Sequence, residues 1–295
     1  NKEAETLTDL LGNIKAQWNS ISTEIRATKL LFDKKCDIGQ RRTKISLPEG
    51  AEIVPILSLI EQEPLTIICS EKGWVRAIKG HNIDKTKIKY KDGDSANFIL
   101  EASSTDRLLV FGTNGRFYNL DCNKLPSGRG HGDPIRLLIE LGNSHDIVNI
   151  HIHESDKKLI VASDHGRGFI VDTNSLVAQT KNGKQILNLS NNEEAKACVI
   201  IANEDDAVAV LGENRKLLIF SLEELPILGR GRGLILQRYK NGGLRDIKTL
   251  KLSTGLSWQT GAGMRTETNV KNWTGKRAQS GSVVPKGFPR ANRFT

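Results

Sequence analysis

Between Ala4 and Phe32 the apolar residues recur at alternating steps of four and three: Leu7, Leu11, Ile14, Trp18, Ile21 and Ile25, continued by Thr28 and Phe32. That spacing draws one stripe down an α-helix of about 30 residues and predicts a coiled-coil seam packed on a partner helix. Gly12 falls inside the helix and weakens it by roughly 1 kcal/mol relative to alanine, a loss that a packed seam absorbs. The lysines of DKKCDIG in the last turn and Gly39 as a stop mark its end. No second helical pattern of that length follows, so the partner is expected upstream of this chain.

From Arg41 onward the pattern changes to short apolar runs bounded by Gly, Asn and Asp, which is the pattern of strands and turns. Five stretches align with one another: TIICSEKGWVRAI from Thr66, LLVFGTNGRFYNL from Leu108, LIVASDHGRGFIV from Leu159, VAVLGENRKLLIF from Val208 and a weaker LSWQTGAGMRTET from Leu256. Their turn positions, Gly73, Gly115, Gly166, Arg215 and Gly263, lie 42, 51, 49 and 48 residues apart. Each stretch reads as strand, tight turn, strand. Asn114-Gly115 is a strong hairpin signal because both turn positions favour positive φ. The polar linkers SSTD, ESDKK and ANEDD separate the units. A hairpin repeat of this period predicts a mainly β, propeller-like array of five blades, the last one incomplete, preceded by one long α-helix. The expected organisation is a helical segment over residues 1–36 and the blade array over 41–295.

A hydrophobic content of 38% beside 26% charged residues allows a real core and excludes global disorder. The chain opens on Asn1 and holds a single methionine, Met264, so it is expected to be a piece of a longer protein. No apolar run approaches the roughly 20 residues that a membrane helix needs, and the segment is expected to be soluble. The four cysteines, Cys36, Cys69, Cys122 and Cys198, form no Cys-x-x-Cys pair, which argues against a zinc site. Cys69 and Cys198 sit in apolar runs, as reduced buried thiols of a reducing compartment do.

Charge sharpens the picture. The net charge of +9 is unevenly distributed: from Gly229 to Thr295 fourteen Lys and Arg stand against Asp246 and Glu267, a local balance of +12. Residues 1–228 carry 29 basic and 32 acidic groups, so all of the excess lies in the last quarter. Such a concentration favours a polyanion.

The basic stretches also recur at one place in the repeat, after the second strand: SGRGHGDPIRL (127–137), KNGKQIL (181–187), GRGRGLILQRY (229–239) and GKRAQSG (275–281). Glycine lets backbone approach a phosphate closely, while Arg and Lys supply charge and donors. Repeated once per blade, these stretches predict a positive track along the rim that contacts duplex DNA through its backbone rather than its bases. The candidate DNA-binding residues are Arg129, Arg136, Lys181, Lys184, Arg230, Arg232, Arg238, Lys240, Arg245, Lys276 and Arg277.

Other chemistry finds little support. Gly229-x-Gly231-x-Gly233 is not a dinucleotide fingerprint, because Leu234 stands where its third glycine belongs. Gly275-Lys276 is followed by Arg277 instead of Ser or Thr, so it is no P-loop. His151 and His153 share a strand face with no third ligand of matching spacing, which reads as a polar face rather than a metal site. No nucleophile elbow of the G-x-S-x-G kind occurs. No catalytic residue, metal or cofactor is expected in this chain.

Three stretches together carry a resemblance: IKAQWNSISTEIRATKLLFDKKCDIGQRRT, GRGRGLILQRYKNGGLRDIKTL and the terminal WTGKRAQSGSVVPKGFPRANRF. Nearly the whole chain resembles the C-terminal part of the A subunits of bacterial type IIA topoisomerases, and most of all the topoisomerase IV, ParC-type branch. The resemblance implies that the helix closes the coiled coil of the breakage-reunion core and that the array is a β-pinwheel whose rim binds and bends DNA. It implies a holoenzyme that uses Mg²⁺ and ATP and pairs with an ATPase B subunit in an A2B2 heterotetramer. The family's A subunits dimerise through a core outside this chain. A cytoplasmic, nucleoid-associated location with peripheral membrane association also follows from the resemblance.

Gyrase A carries an intact Gln-Arg-Arg-Gly-Gly-x-Gly box, whereas here Gln40-Arg41-Arg42 continues as Thr43-Lys44. That departure favours the decatenating and relaxing branch over a gyrase A with a degenerate box. The family cleaves DNA through a tyrosine that follows an arginine in a winged helix. Arg238-Tyr239 matches the dipeptide, but LILQRYKNGG reads as blade rim, and Tyr90 and Tyr118 have no better claim. Tyr239 is expected to be structural or to contact DNA. From the residues alone, a propeller scaffold with no nucleic-acid role stays open as a rival.

Overall fold

The computed structural model describes residues 2–40, 43, 61–128, 130–178, 180–261 and 263–294. The chain divides into two compact units, Asn1–Pro55 and Ile56–Thr295. Arg41, Arg42 and Lys44 of the box-like stretch, and the candidate Arg129, lie outside the described residues.

The first unit holds two helices, α1 (Lys2–Gly12) and α2 (Ile14–Leu31), where the sequence pattern predicts one. The break has a local cause. Asn13 leaves helical geometry at φ −121°, ψ 99°, and its side-chain oxygen accepts the backbone N–H groups of Lys15 and Ala16 at 3.0 and 3.2 Å, capping α2. Gly12 just before it has no side chain to hold the turn together. The predicted seam is exposed within this unit, with Leu11 79% and Trp18 66% accessible.

The second unit is a series of hairpins, and each of the first four grows into a four-stranded antiparallel sheet. The strands are β1 (Pro64–Ser70), β2 (Trp74–Lys79), β3 (Ala96–Ser103), β4 (Arg107–Gly112), β5 (Arg116–Asp121), β6 (Asp133–Pro134), β7 (Ile147–Ile152), β8 (Lys158–Ser163) and β9 (Arg167–Asp172). They continue with β10 (Lys184–Gln185), β11 (Ala195–Ile201), β12 (Ala207–Gly212), β13 (Lys216–Ser221), β14 (Leu234–Ile235), β15 (Leu244–Leu250), β16 (Leu256–Thr260), β17 (Gly263–Glu267) and β18 (Ser282–Val283). The sheet orders are β3-β1-β2-β6, β10-β5-β4-β7, β11-β8-β9-β14 and β15-β12-β13-β18, and β16-β17 stands as a two-stranded fifth unit. The five expected hairpins are all present, the last of them incomplete.

The order holds a feature that no sequence pattern announced. In every four-stranded blade the outermost strand, β6, β10, β14 or β18, comes from chain that has already built the hairpin of the next blade and returns to the previous one. Successive blades are thereby clasped together.

Packing follows the same logic. Along β4, Leu108 and Val110 face a core shared with the first blade, while Leu109 and Phe111 face one shared with the third. Along β8 and β12 the same alternation divides Leu159 and Val161 from Ile160 and Ala162, and Val208 and Val210 from Ala209 and Leu211. A strand buried on both faces reads as a continuous apolar run, which is why these segments show no polar alternation. Each fully buried Leu, Ile or Phe contributes about 1.5–3 kcal/mol of transfer free energy, and the cores lie between blades, so a blade is stable only with its neighbour. At the end of the series Phe288 and Phe294 join Trp258 in the last core, edge to face at 5.6 Å between the two phenylalanines. Among the described residues no core joins β16 and β17 to the first sheet.

Candidate nucleic-acid interface

The return segments that end in β6, β10, β14 and β18 are the basic stretches of the sequence. Their glycines explain the path. Gly132, Gly183, Gly233 and Gly281 all adopt positive φ, between 64° and 83°. Each sits immediately before its returning strand, against the carbonyl of the second residue of the hairpin strand beneath it: Val75, Phe117, Gly168 or Leu217. A Cβ on Gly233 would lie 2.6 Å from the Gly168 oxygen, closer than any side chain is tolerated. These four glycines therefore serve the clasp between blades. Gly130 and Gly229, with open space around them, are the ones left free to approach a ligand.

Beyond each clasp glycine, Ile135, Ile186, Leu236 and Val284 donate their backbone N–H to the carbonyl of the hairpin turn, at Gly73, Gly115, Gly166 and Arg215, over 2.8–3.1 Å. Arg215 holds this place with φ 59°, the one non-glycine in the set, and its guanidinium donates to the Pro289 carbonyl at 3.0 Å.

The return segments are also bonded to one another. Glu140 N–H donates to the Lys181 carbonyl at 3.0 Å, Gly231 N–H to Ile186 at 2.9 Å, Asn188 N–H to Gly231 at 2.8 Å, Ala278 N–H to Leu236 at 2.9 Å and Arg238 N–H to Gln279 at 3.0 Å. Three of the basic stretches, 181–187, 229–239 and 275–281, are thus joined directly by backbone hydrogen bonds, and the first is tied to Lys181 through Glu140, three residues past its end. This connection is built by main-chain hydrogen bonds rather than by side chains.

The candidate residues divide into two groups on it. Lys181, Arg230, Arg232, Arg238, Lys240 and Lys276 are exposed on the segments. Lys184 is exposed too, with its ammonium donating to the Ser175 carbonyl at 2.5 Å. Arg230 Nε donates to Asn188 at 3.0 Å and Arg232 lies 3.8 Å from the buried Glu193 carboxylate, so both side chains of the Arg-Gly tract are oriented while still reaching solvent. Arg238 lines a cavity of 520 Å³ beside Trp273, Gln279 and Ser280.

Three candidates are committed elsewhere. Arg136 donates to the His145 carbonyl and pairs with Asp146 at 3.2 Å. Arg277 is half-buried, donates to the Ile235 carbonyl at 2.7 Å, and leaves its Nε buried without a partner. Arg245 belongs to β15, not to a return segment, and donates to the Ala291 carbonyl at 3.2 Å. These guanidiniums are engaged by neighbouring groups, which the sequence does not reveal because it shows the charge and not its partner.

A fifth basic stretch was missed. Residues 80–95 follow the first hairpin as the other stretches follow theirs, and carry Lys85, Lys87, Lys89 and Lys91 at alternate positions. That regular spacing after a second strand was the available signal.

Tyr239 and Tyr118 are structural. Tyr239 packs its ring against Gly166 and Gly212, and burial, with the nearby Glu213 charge, pushes its phenol far above the usual range. Tyr118 is fully buried and accepts from Asn114 at 2.7 Å. Neither offers a phenolate to a phosphodiester.

Asp164, His165 and Glu193 bring ligand atoms within 4.8 Å of one another. The donor set does not fit a divalent cation. Glu193 already accepts Ser163 Oγ at 2.6 Å and Ser190 N–H at 2.9 Å, Asp164 accepts the N–H groups of His165 and Glu194, and Arg232 faces the cluster. Burial alone would raise the Glu193 carboxyl, but the Ser163 and Ser190 donors outweigh it and hold it below the usual range. His151, expected on a polar strand face, instead points its Nε2 at the Cys198 carbonyl, 3.2 Å away in the next blade.

The family model described as the DNA gyrase C-terminal domain, a β-propeller, matches residues 157–202 and 206–245. The A subunit of DNA topoisomerase 4 from Rickettsia bellii is 42% identical over 295 residues, all of this chain and 40% of that protein, and its counterpart in Caulobacter vibrioides is 39% identical over 303 residues. The chain spans about 40% of the length of these relatives. The solved C-terminal domain of Escherichia coli ParC superposes with a TM-score of 0.67 at 30% identity, over 77% of this chain and 96% of that domain. On that near-complete cover of a solved relative, the chain belongs to the family of topoisomerase IV A subunits and their C-terminal β-propeller domains.

Proposed function

We propose that this chain holds and bends a DNA duplex along its ladder of return segments, as the DNA-binding part of a topoisomerase IV A subunit. The observation that carries the reading is the ladder itself: three basic stretches, far apart in sequence, are hydrogen-bonded to one another, with the first tied in through Glu140, and they present Lys181, Arg230, Arg232, Arg238, Lys240 and Lys276 on their exposed side. Spaced cations on rigid backbone suit phosphates and not base edges, so binding is salt-dependent and weakly sequence-selective. The whole protein then carries out ATP-dependent double-strand passage, decatenating and relaxing DNA for chromosome segregation. It acts with an ATPase B subunit in an A2B2 assembly, with Mg²⁺ held outside this chain, in the cytoplasm at the nucleoid. This chain supplies no catalytic group; it positions the duplex.

The test is fluorescence anisotropy on a labelled duplex across a salt series. Changing Arg230 and Arg232 together to alanine is expected to weaken binding and to reduce the slope of log K against log salt by about two units, one per lost phosphate contact. An unchanged affinity and slope would remove the rim from the function.

A further inference from the structure

The first blade departs from the others at one position. The third residue of the second hairpin strand is Tyr118, Phe169 and Leu218 in blades two, three and four, each buried against the preceding blade. In the first blade it is Arg76, only 6% exposed. No blade precedes the first among the described residues, and the stretch after its hairpin, residues 80–95, has none to return to. It folds back over its own blade instead.

Arg76 ties this strap to the first return segment: Nη2 donates to the Lys89 carbonyl at 2.8 Å and Nη1 to the Gly130 carbonyl. Both partners are neutral. Arg76 takes part in no ion pair among the described residues. A buried guanidinium without a counter-charge is costly unless an anion completes it. Beside it opens a cavity of 360 Å³ lined by Lys87, Lys89, Gly130 and His131, with Ile78, Ile83 and Ile88 as its apolar wall. The carboxylate at its edge, Asp84, already accepts Thr86 through N–H and Oγ1 and pairs with Lys87 at 3.2 Å. A second cavity lies at the same place in the fourth blade, over Leu218 and beside Arg238.

We propose that the cavity between the strap and the first return segment is a phosphate-oxyanion seat, with Arg76 as its buried charge and Lys87 and Lys89 at its mouth. A tetrahedral oxyanion there meets forked guanidinium hydrogens and lysine ammoniums, with glycine backbone close enough not to obstruct it. The same chemistry is offered by a phosphodiester of duplex DNA or by a free phosphate group; the first of these rests on the DNA-binding reading above.

Inorganic phosphate titrated against potassium chloride at constant ionic strength is the probe, with the melting temperature of the 295-residue chain as readout. A saturable rise is expected for the unaltered chain, its absence for Arg76→Leu, which installs the side chain of the fourth blade, and a weaker rise for Lys87→Ala/Lys89→Ala, which leaves the guanidinium in place. In the DNA arm, Arg76→Leu is expected to weaken duplex binding roughly tenfold, as loss of a charge-assisted contact does. If phosphate stabilisation is lost in Arg76→Leu while duplex affinity is unchanged, the seat stands and takes a small free oxyanion. Should Arg76→Leu fail to fold, Lys87→Ala/Lys89→Ala decides. No saturable effect on the unaltered chain, or an equal one in all variants, overturns the seat. Arg230→Ala/Arg232→Ala separates the two readings: it should lose duplex affinity and keep the phosphate effect, and if it keeps both, the rim reading fails while the seat stands.

Discussion

The hairpin strands and the return segments of the β unit are made of opposite materials. The first hairpin strands of the second, third and fourth blades are buried on both faces and nearly uniform: Leu108 to Phe111, Leu159 to Ala162 and Val208 to Leu211 are all fully buried. The return segments contribute only two-residue strands to the sheets and carry the exposed cations. Stability and charge are therefore held by different parts of one repeat, joined at a glycine. The difference teaches that the track can vary its charges without disturbing the cores, provided that the joint is kept.

The sharpest way to break that division is at the joint. Gly233→Ala puts a Cβ on a residue with φ 74°, against the Gly168 carbonyl oxygen. The left-handed conformation alone costs about 1–3 kcal/mol for a non-glycine residue, and the contact adds to it because backbone, not a flexible side chain, must move. A melting temperature lowered by several degrees is expected, whereas Lys240→Ala, a short distance along the same segment, is expected to leave it within about 1 °C, surface changes of this kind being nearly neutral. Equal stability of the two variants would show that the clasp contributes nothing.

How much of this was legible in the sequence depends on how local each signal is. The hairpins announced themselves because runs such as LLVF followed by Asn114-Gly115 need no distant partner to be recognised. The strands β6, β10, β14 and β18 did not, since two residues carry no periodicity and their pairing is fixed by the blade they return to. The break between α1 and α2 had its sign in Asn13, a strong N-cap residue after a glycine, but the unbroken apolar spacing masked it. Charge was legible and its commitment was not: the partner of Arg277 is the Ile235 carbonyl, 42 positions away.

A second, smaller effect sharpens the line between free and committed cations. Arg277 and Lys276 are neighbours on the last return segment, one half-buried with its guanidinium on Ile235, the other exposed. Arg277→Ala removes a charge-assisted hydrogen bond to a backbone carbonyl and is expected to cost about 1.5–3 kcal/mol. Lys276→Ala is expected to leave stability unchanged and to lower the salt slope of duplex binding by about one unit. Denaturant unfolding and anisotropy, measured on both variants, should show the two effects crossing; if Arg277→Ala also proves neutral for stability, the half-buried guanidinium is not part of the scaffold.

The smallest effect concerns the seam between the second and third blades. Burial there lowers the His151 imidazole below its ordinary value, only partly opposed by its hydrogen bond to the Cys198 carbonyl. The unfolded chain takes up this proton near pH 6.5, while the folded chain resists it. The contribution of neutral His151 is therefore complete above that pH, and is lost as pH falls through the lower folded value, because the unfolded state binds more protons. His151→Gln keeps a donor that can reach the Cys198 carbonyl and cannot titrate. Between about pH 7.5 and about pH 5 the unaltered chain is thus expected to lose stability more steeply than His151→Gln, by a difference that urea midpoints at three or four pH values resolve. Parallel curves would place the imidazole in contact with solvent, and would mean that the two blades part at this seam more readily than their shared core of Leu109, Phe111, Leu159 and Val161 implies.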